Sequence, residues 1–109
     1  MEEEKDNCPV VYTLSLLNGK WKLAIIWHLS QHESIRFNEL QRMLNGISNL
    51  MLSKSLQELE QNNIVNRIQY NSIPPRVEYS LTDLGHSLKL ALDTLGEWGN
   101  RVKTQNNNK

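Results

Sequence analysis

Apolar positions in this chain recur at helical spacing, switch once to alternation, and then return to helical spacing. Val10, Val11, Leu14 and Leu17 give a first, short helix its apolar face, with Pro9 suited to the first helical position and Asn18-Gly19 to the end. Residues 20–32 read as a second helix. Its Trp21, Leu23, Ala24, Ile25, Ile26, Trp27 and Leu29 are apolar on nearly all sides, which places it in the middle of the fold. Ser34-Ile35-Arg36 is a brief extended link, short enough to be a link or a small strand. Across 36–63 the pattern predicts two more helices joined by a tight turn at Asn45-Gly46. Phe37, Leu40, Met43 and Leu44 face inward in one, and Leu52, Leu56 and Leu59 in the other. Gly46 supplies the turn's backbone angles, and Ser48 is placed to cap the second helix.

After Asn63 the period changes. Residues 64–70 are rich in β-branched and aromatic side chains, residues 76–81 alternate, and Asn71-Ser72-Ile73-Pro74-Pro75 continues neither run. A hairpin placed directly behind a helix-turn-helix is a wing. Thr82-Asp83 then opens the last helix as cap and first-turn acid, with Leu84, Leu88, Leu92 and Leu95 along one stripe. Leu88, Ala91, Leu95, Trp98 and Val102 recur at spacings of 3, 4, 3 and 4, the seam of a helix that meets another lengthwise. Gly85, Gly96 and Gly99 weaken this helix, so packing must hold it, and Gly96 and Gly99 leave room for a partner to approach. The predicted fold is mainly α with a small β-hairpin. It is a winged helix-turn-helix of about five helices plus a two-stranded wing, whose terminal helices pack either on their own domain or on a second subunit. Residues 8–103 make one domain, while the polar, aperiodic segments 1–7 and 104–109 are expected to be disordered tails.

With 109 residues the chain is near the size at which burial in a dimer helps a single core. Its formal charge is zero, which is unfavourable for a nucleic-acid ligand until the distribution is considered. Residues 1–6 hold four acids against Lys5, so the remainder carries 11 basic and 8 acidic side chains, a net of +3. Leu23 to Trp27 is the longest apolar run, too short to span a bilayer, and the start MEEEKD is the opposite of a basic signal region. A cytoplasmic location and no membrane partner are expected.

The residues left outward on the 48–61 helix are small, polar or basic. Asn49 and Gln57 suit adenine edges, Lys54 suits guanine or phosphate, and Ser48 and Ser53 suit either. Leu50 either meets a thymine methyl or folds back onto the core. Arg36 and Arg42 flank the first helix of the pair, and Arg67 and Arg76 sit on the wing, where they are expected to serve phosphates. A twofold dimer then expects double-stranded DNA with an inverted-repeat operator. Cys8 is the single cysteine, so an intrachain disulfide and a cysteine-based zinc site within one chain are both excluded. It stands at a helix start, where the partial positive charge makes a thiol more reactive. Val10, Val11 and Leu14 beside it, with Leu88, Ala91, Leu95, Trp98 and Val102, are the expected dimer interface.

Two other functions fit parts of the pattern. One is a metal-responsive DNA-binding regulator using His28, His32 and His86; the other is a winged-helix module that binds protein and not DNA. No phosphate-cradling glycine loop and no legible catalytic constellation occurs, so neither an enzyme nor a cofactor is expected.

Several motifs stand in fixed order. They are Cys8-Pro9, Gly19-Lys20-Trp21, Arg36-Phe37-x-Glu39-Leu40, Gly46-Ile47-Ser48-x-x-Met51-Leu52, Leu56-x-x-Leu59-Glu60, Pro74-Pro75-x-Val77-Glu78-Tyr79-Ser80-Leu81-Thr82, Gly85 and Trp98-Gly99. Over residues 8–100 this resembles the HxlR-type winged helix-turn-helix regulators, relatives of the MarR group. The resemblance implies a homodimeric transcription regulator with its first and last helices at the dimer interface and the 48–61 helix reading DNA. It also implies that Cys8 matches the cysteine that senses electrophiles, aldehydes, quinones or oxidants in several members. Leu50 departs from the polar or basic residue common in the family, and Asn63 replaces its usual glycine.

Overall fold

Local chemistry sets where the helices start and stop. The structure is a computed structural model that describes residues 8–107; the tail expected over 1–7 lies outside them. Helix α1 (Pro9–Leu16) begins on its proline, and Gly19, at a φ of +97°, turns the chain into α2 (Lys22–Ser30). Strand β1 (Ile35–Arg36) leads into α3 (Phe37–Met43), where the Glu39 side chain accepts a hydrogen bond from the Arg36 backbone N–H at 3.4 Å. Gly46, at φ +93°, separates α3 from α4 (Asn49–Gln61). The Ser48 hydroxyl accepts from the Met51 N–H at 3.0 Å, as expected of the cap. Helix α4 ends in a Schellman arrangement: Asn63 takes φ +61°, its N–H donates to the Glu60 carbonyl, and the Ile64 N–H donates to Leu59. Asparagine thus occupies the left-handed position that glycine more often fills.

The wing is larger than the predicted two strands. β2 (Val65–Tyr70) and β3 (Arg76–Leu81) form the hairpin, and β1 adds to the far side of β3, giving the antiparallel order β1-β3-β2. Ile35 pairs with Tyr79 and Arg36 with Glu78. Two residues are too few to show alternation in sequence, but they satisfy an edge of β3 that otherwise lacks backbone partners.

The core gathers one face from nearly every element. Ile25, Ile26 and Leu29 of α2, Leu40 of α3, and Leu52, Leu56 and Leu59 of α4 are fully or almost fully buried, with Ile35, Tyr79 and Leu81 closing the sheet side. The expected central helix is therefore α2, although Trp27 on it reaches the surface. Lys22 is buried at its start, and its ammonium meets the Glu58 carboxylate of α4 at 2.7 Å. That ion pair braces the back of α4 against α2.

The single predicted C-terminal helix is two segments, α5 (Asp83–His86) and α6 (Lys89–Asn107), separated by a turn at residues 87–88. Gly85 has a different role from the expected weakening of a helix. A β-carbon there would collide with the Ile64 carbonyl oxygen, while the Thr82 hydroxyl donates to the Asn63 carbonyl at 2.7 Å. The start of α5 is thus pressed against the loop that leaves α4. Residues 104–107, expected in a disordered tail, continue α6; extension of an established helix fixes few dihedrals per new hydrogen bond, and no glycine or proline intervenes there. Residues 108–109 lie outside the described chain.

Candidate nucleic-acid interface

Helix α4 divides cleanly. Leu52, Ser55, Leu56 and Leu59 are buried, whereas Asn49, Leu50, Ser53, Lys54 and Gln57 are exposed. At 100° per residue the outward set covers an arc of about 140°. Leu50 lies within that arc and is 80% exposed, so it projects outward and does not fold back on the core. Glu60 and Gln61 extend the same exposed arc and were missed in the sequence reading, although helical spacing alone places them there. Since Glu60 is acidic, the surface suited to DNA is concentrated in the first two turns of α4, next to the positive end of the helix dipole. Ser48 keeps its hydroxyl proton for a further bond while its oxygen caps the helix.

Of the four arginines expected at phosphates, three converge. Arg36, Arg42 and Arg76 line a groove of about 670 Å³ between the start of α3 and the wing loop, with Glu39 and Pro74 among its other walls. Arg67 does not join them. Opposed residues of an antiparallel pair share a face; Arg67 is opposite Tyr79 and Arg76 is opposite Tyr70, so the two arginines lie on opposite faces of the wing. Glu78, which lies beside Arg36 and Arg76 and outside the groove lining, was not anticipated. It accepts from the Ser34 hydroxyl at 2.8 Å and from Arg76 Nε at 3.1 Å, and stands 3.9 Å from Arg36 Nε. Its place in the alternating strand was legible in sequence; its neighbours across β1 were not.

Two titratable groups are displaced from their usual range. The Lys22 hydrogen bond and charge hold the Glu58 carboxyl low, against a smaller opposing effect of burial. Burial, and then the neighbouring His32, lower the His28 imidazole. His32 Nδ1 lies 3.1 Å from the His28 carbonyl oxygen, so that ring is turned back to the end of α2. Among the described residues no group of three or more His, Cys, Asp or Glu side chains is placed to hold a metal ion, and His86 stays on α5.

A second surface lies at the chain's ends. Cys8 is exposed at the cap position of α1, and none of Pro9–Leu16 is buried; Val10, Val11 and Leu14 all face outward. On α6 only Leu92 is buried. Ala91, Leu95 and Trp98 are exposed, while Leu88 and Val102 are half-buried against their own chain. Tyr12, Leu84 and Leu90 belong to the same unpartnered apolar set and escaped the seam pattern; Leu90 is 77% exposed. Around Gly96 and Gly99 there is open space. Among the described residues no helix is long and apolar enough to cross a membrane.

Comparison with known proteins agrees with this geometry. The family model described as HxlR-like helix-turn-helix matches residues 16–107. An HTH-type transcriptional regulator of Halalkalibacterium halodurans is 50% identical over 99 residues, covering 91% of this chain and 86% of that protein. The redox regulator HypR, solved in its reduced form, superposes with a TM-score of 0.84 at 37% identity, covering 94% of this chain and all of that one. YodB from B. subtilis, solved after diamide treatment, superposes with a TM-score of 0.68 at 34% identity over 86% of this chain and 93% of that one. With its helix-turn-helix, basic wing and match over most of its length, this chain belongs to the HxlR-like helix-turn-helix family of transcriptional regulators.

Proposed function

We infer that the protein is a homodimeric, sequence-specific DNA-binding repressor whose activity is set by the state of Cys8. The observation that carries this reading is the outward arc of α4, where Asn49, Ser53, Lys54 and Gln57 surround the projecting Leu50 while the opposite face is sealed in the core. Such a helix fits the major groove, with Asn49 and Gln57 reading adenine edges and Leu50 contacting a thymine methyl. Arg36, Arg42 and Arg76 serve the flanking phosphates, and Arg67, on the other face of the wing, makes a separate contact.

The exposed apolar surfaces of α1 and α6 are the dimer interface, formed by Val10, Val11, Leu14, Leu88, Ala91, Leu95, Trp98 and Val102. Twofold pairing makes the operator an inverted repeat with half-sites about one helical turn, or a multiple, apart. Cys8 sits where this interface begins, so its modification by an electrophile, aldehyde or oxidant disturbs α1 and changes the separation of the two α4 helices. The similarity to HypR, named a redox regulator, and to YodB, solved after diamide treatment, supports that reading of the thiol.

The test is a gel shift against the DNA upstream of the protein's own gene, across salt concentrations and with and without diamide or quinone. Three phosphate contacts per subunit predict a slope of log affinity against log salt near −5. Salt-independent binding would refute the DNA reading, and a Cys8→Ser protein that responds to the thiol reagents as the wild type does would refute the sensor.

A further inference from the structure

Strand β3 is the middle strand of the sheet, and its register brings together four side chains from three strands. Arg76 and Glu78 are two apart on β3 and share a face. Pairing with β1 sets Arg36 opposite Glu78, and pairing with β2 sets Tyr70 opposite Arg76. The Glu78 carboxylate is mostly covered, with its side chain 16% exposed, and both of its oxygens are engaged: Oε1 by the Ser34 hydroxyl and Oε2 by Arg76 Nε. The Arg76 guanidinium lies 4.2 Å from the centre of the Tyr70 ring.

We propose that Glu78 and Tyr70 are positioning residues that hold Arg76 ready for a DNA phosphate, an inference that rests on the DNA-binding function above. Arg76 is gripped at Nε by the carboxylate and along one flat face by the ring. Its two terminal amino groups remain for the oxygens of a phosphate, to which a guanidinium fork is matched. An acid beside phosphate-binding arginines repels DNA unless it is neutralised; with Arg36 and Arg76 around it, the Glu78 cluster carries a net charge of +1. An arginine on a flexible stem loses rotamer freedom when it binds. One already fixed by the fold has lost that freedom beforehand.

The experiment uses the full-length protein and a fluorescent mixed-sequence duplex of about 30 base pairs, three helical turns. Phosphate contacts carry no sequence information, so such a duplex reports them. The deciding substitutions leave the net charge unchanged. Tyr70→Leu removes the ring face and Glu78→Asp shortens the carboxylate's reach; each weakens binding about two- to tenfold per subunit, the range for immobilising one rotamer-rich side chain, with the salt slope preserved. Tyr70→Phe keeps the ring and binds as the wild type. Arg76→Ala weakens binding and reduces the slope by about 0.9 per subunit. In the Arg76→Ala background, neither Tyr70→Leu nor Glu78→Asp has any further effect. Wild-type binding by both single variants overturns the inference, as does an equal loss with and without Arg76, which marks general damage to the wing. If Glu78→Asp fails to fold by circular dichroism, the Tyr70 variants decide the matter. Absence of salt-dependent binding by the wild-type protein overturns the DNA-binding reading itself, a different failure from intact wild-type binding that ignores Tyr70 and Glu78.

Discussion

Replacing Trp98 by alanine separates association from folding. Trp98 is 58% exposed and lies outside the core cluster, so its own chain depends little on it. Aromatic side chains bury 150–250 Å² when covered, so roughly 90–145 Å² of Trp98 is left for a partner, worth about 2–4 kcal/mol at 25 cal/mol per Å². A twofold interface uses the residue twice, so Trp98→Ala weakens the dimer by up to about 4–7 kcal/mol, or three to five decades in its dissociation constant. Sedimentation velocity across a concentration series measures this directly. Leu92→Ala is the contrasting control. Leu92 is buried in its own subunit, so its truncation lowers folding stability by about 2–5 kcal/mol. An unchanged dissociation constant for Trp98→Ala, or a wild-type protein that sediments as a monomer at every concentration, would show that the exposed face of α6 is not the dimer seam.

Three further outcomes are expected. Glu58→Gln leaves the buried Lys22 ammonium without its acid and destabilises the fold, whereas Lys22→Met removes the buried charge and is neutral or stabilising. Because the folded Glu58 carboxyl lies below its ordinary value of 4.5, the pair's contribution is present above that value and is lost as pH falls through the lowered one; urea unfolding of Glu58→Gln should therefore lack this part of the acid dependence. Gly85→Ala forces a β-carbon onto the Ile64 carbonyl and costs about 1–3 kcal/mol in the same assay, and wild-type stability would rule out the close approach. Leu50→Ser should leave stability within about 0.5 kcal/mol, as befits a projecting side chain, while promoter affinity drops by about 1 kcal/mol together with any preference for thymine. A large loss of stability would place Leu50 in the core after all.

Placed together, the braces explain how α4 is held for use. Lys22 ties its last turn to α2, and Thr82 with Gly85 ties its exit loop to the start of α5. The helix proposed to meet DNA is therefore fixed on its inner side by groups that leave Asn49, Leu50, Ser53, Lys54 and Gln57 outward.

Features that depend on near neighbours along the chain were legible in the sequence. Helical spacing separated Leu52, Leu56 and Leu59 from the polar face of α4, and alternation over 76–81 marked β3. Gly46 and Ser48 marked the turn and the cap because backbone angles and capping bonds are satisfied within a few residues. Relations between distant segments emerged with the packed fold. Strand register put Arg67 and Arg76 on opposite faces and drew Arg36, Ser34 and Arg76 around Glu78, since register depends on which backbone groups pair and a shift of one residue reverses every side chain. The third strand, the Lys22–Glu58 brace and the steric need for Gly85 have the same origin: each is a contact between segments that no local period encodes. The outward direction of Leu50 was open in sequence for a related reason, because a leucine at the edge of a helical stripe packs inward only if another element arrives to cover it. Among the described residues no element does, and Leu50 stays exposed.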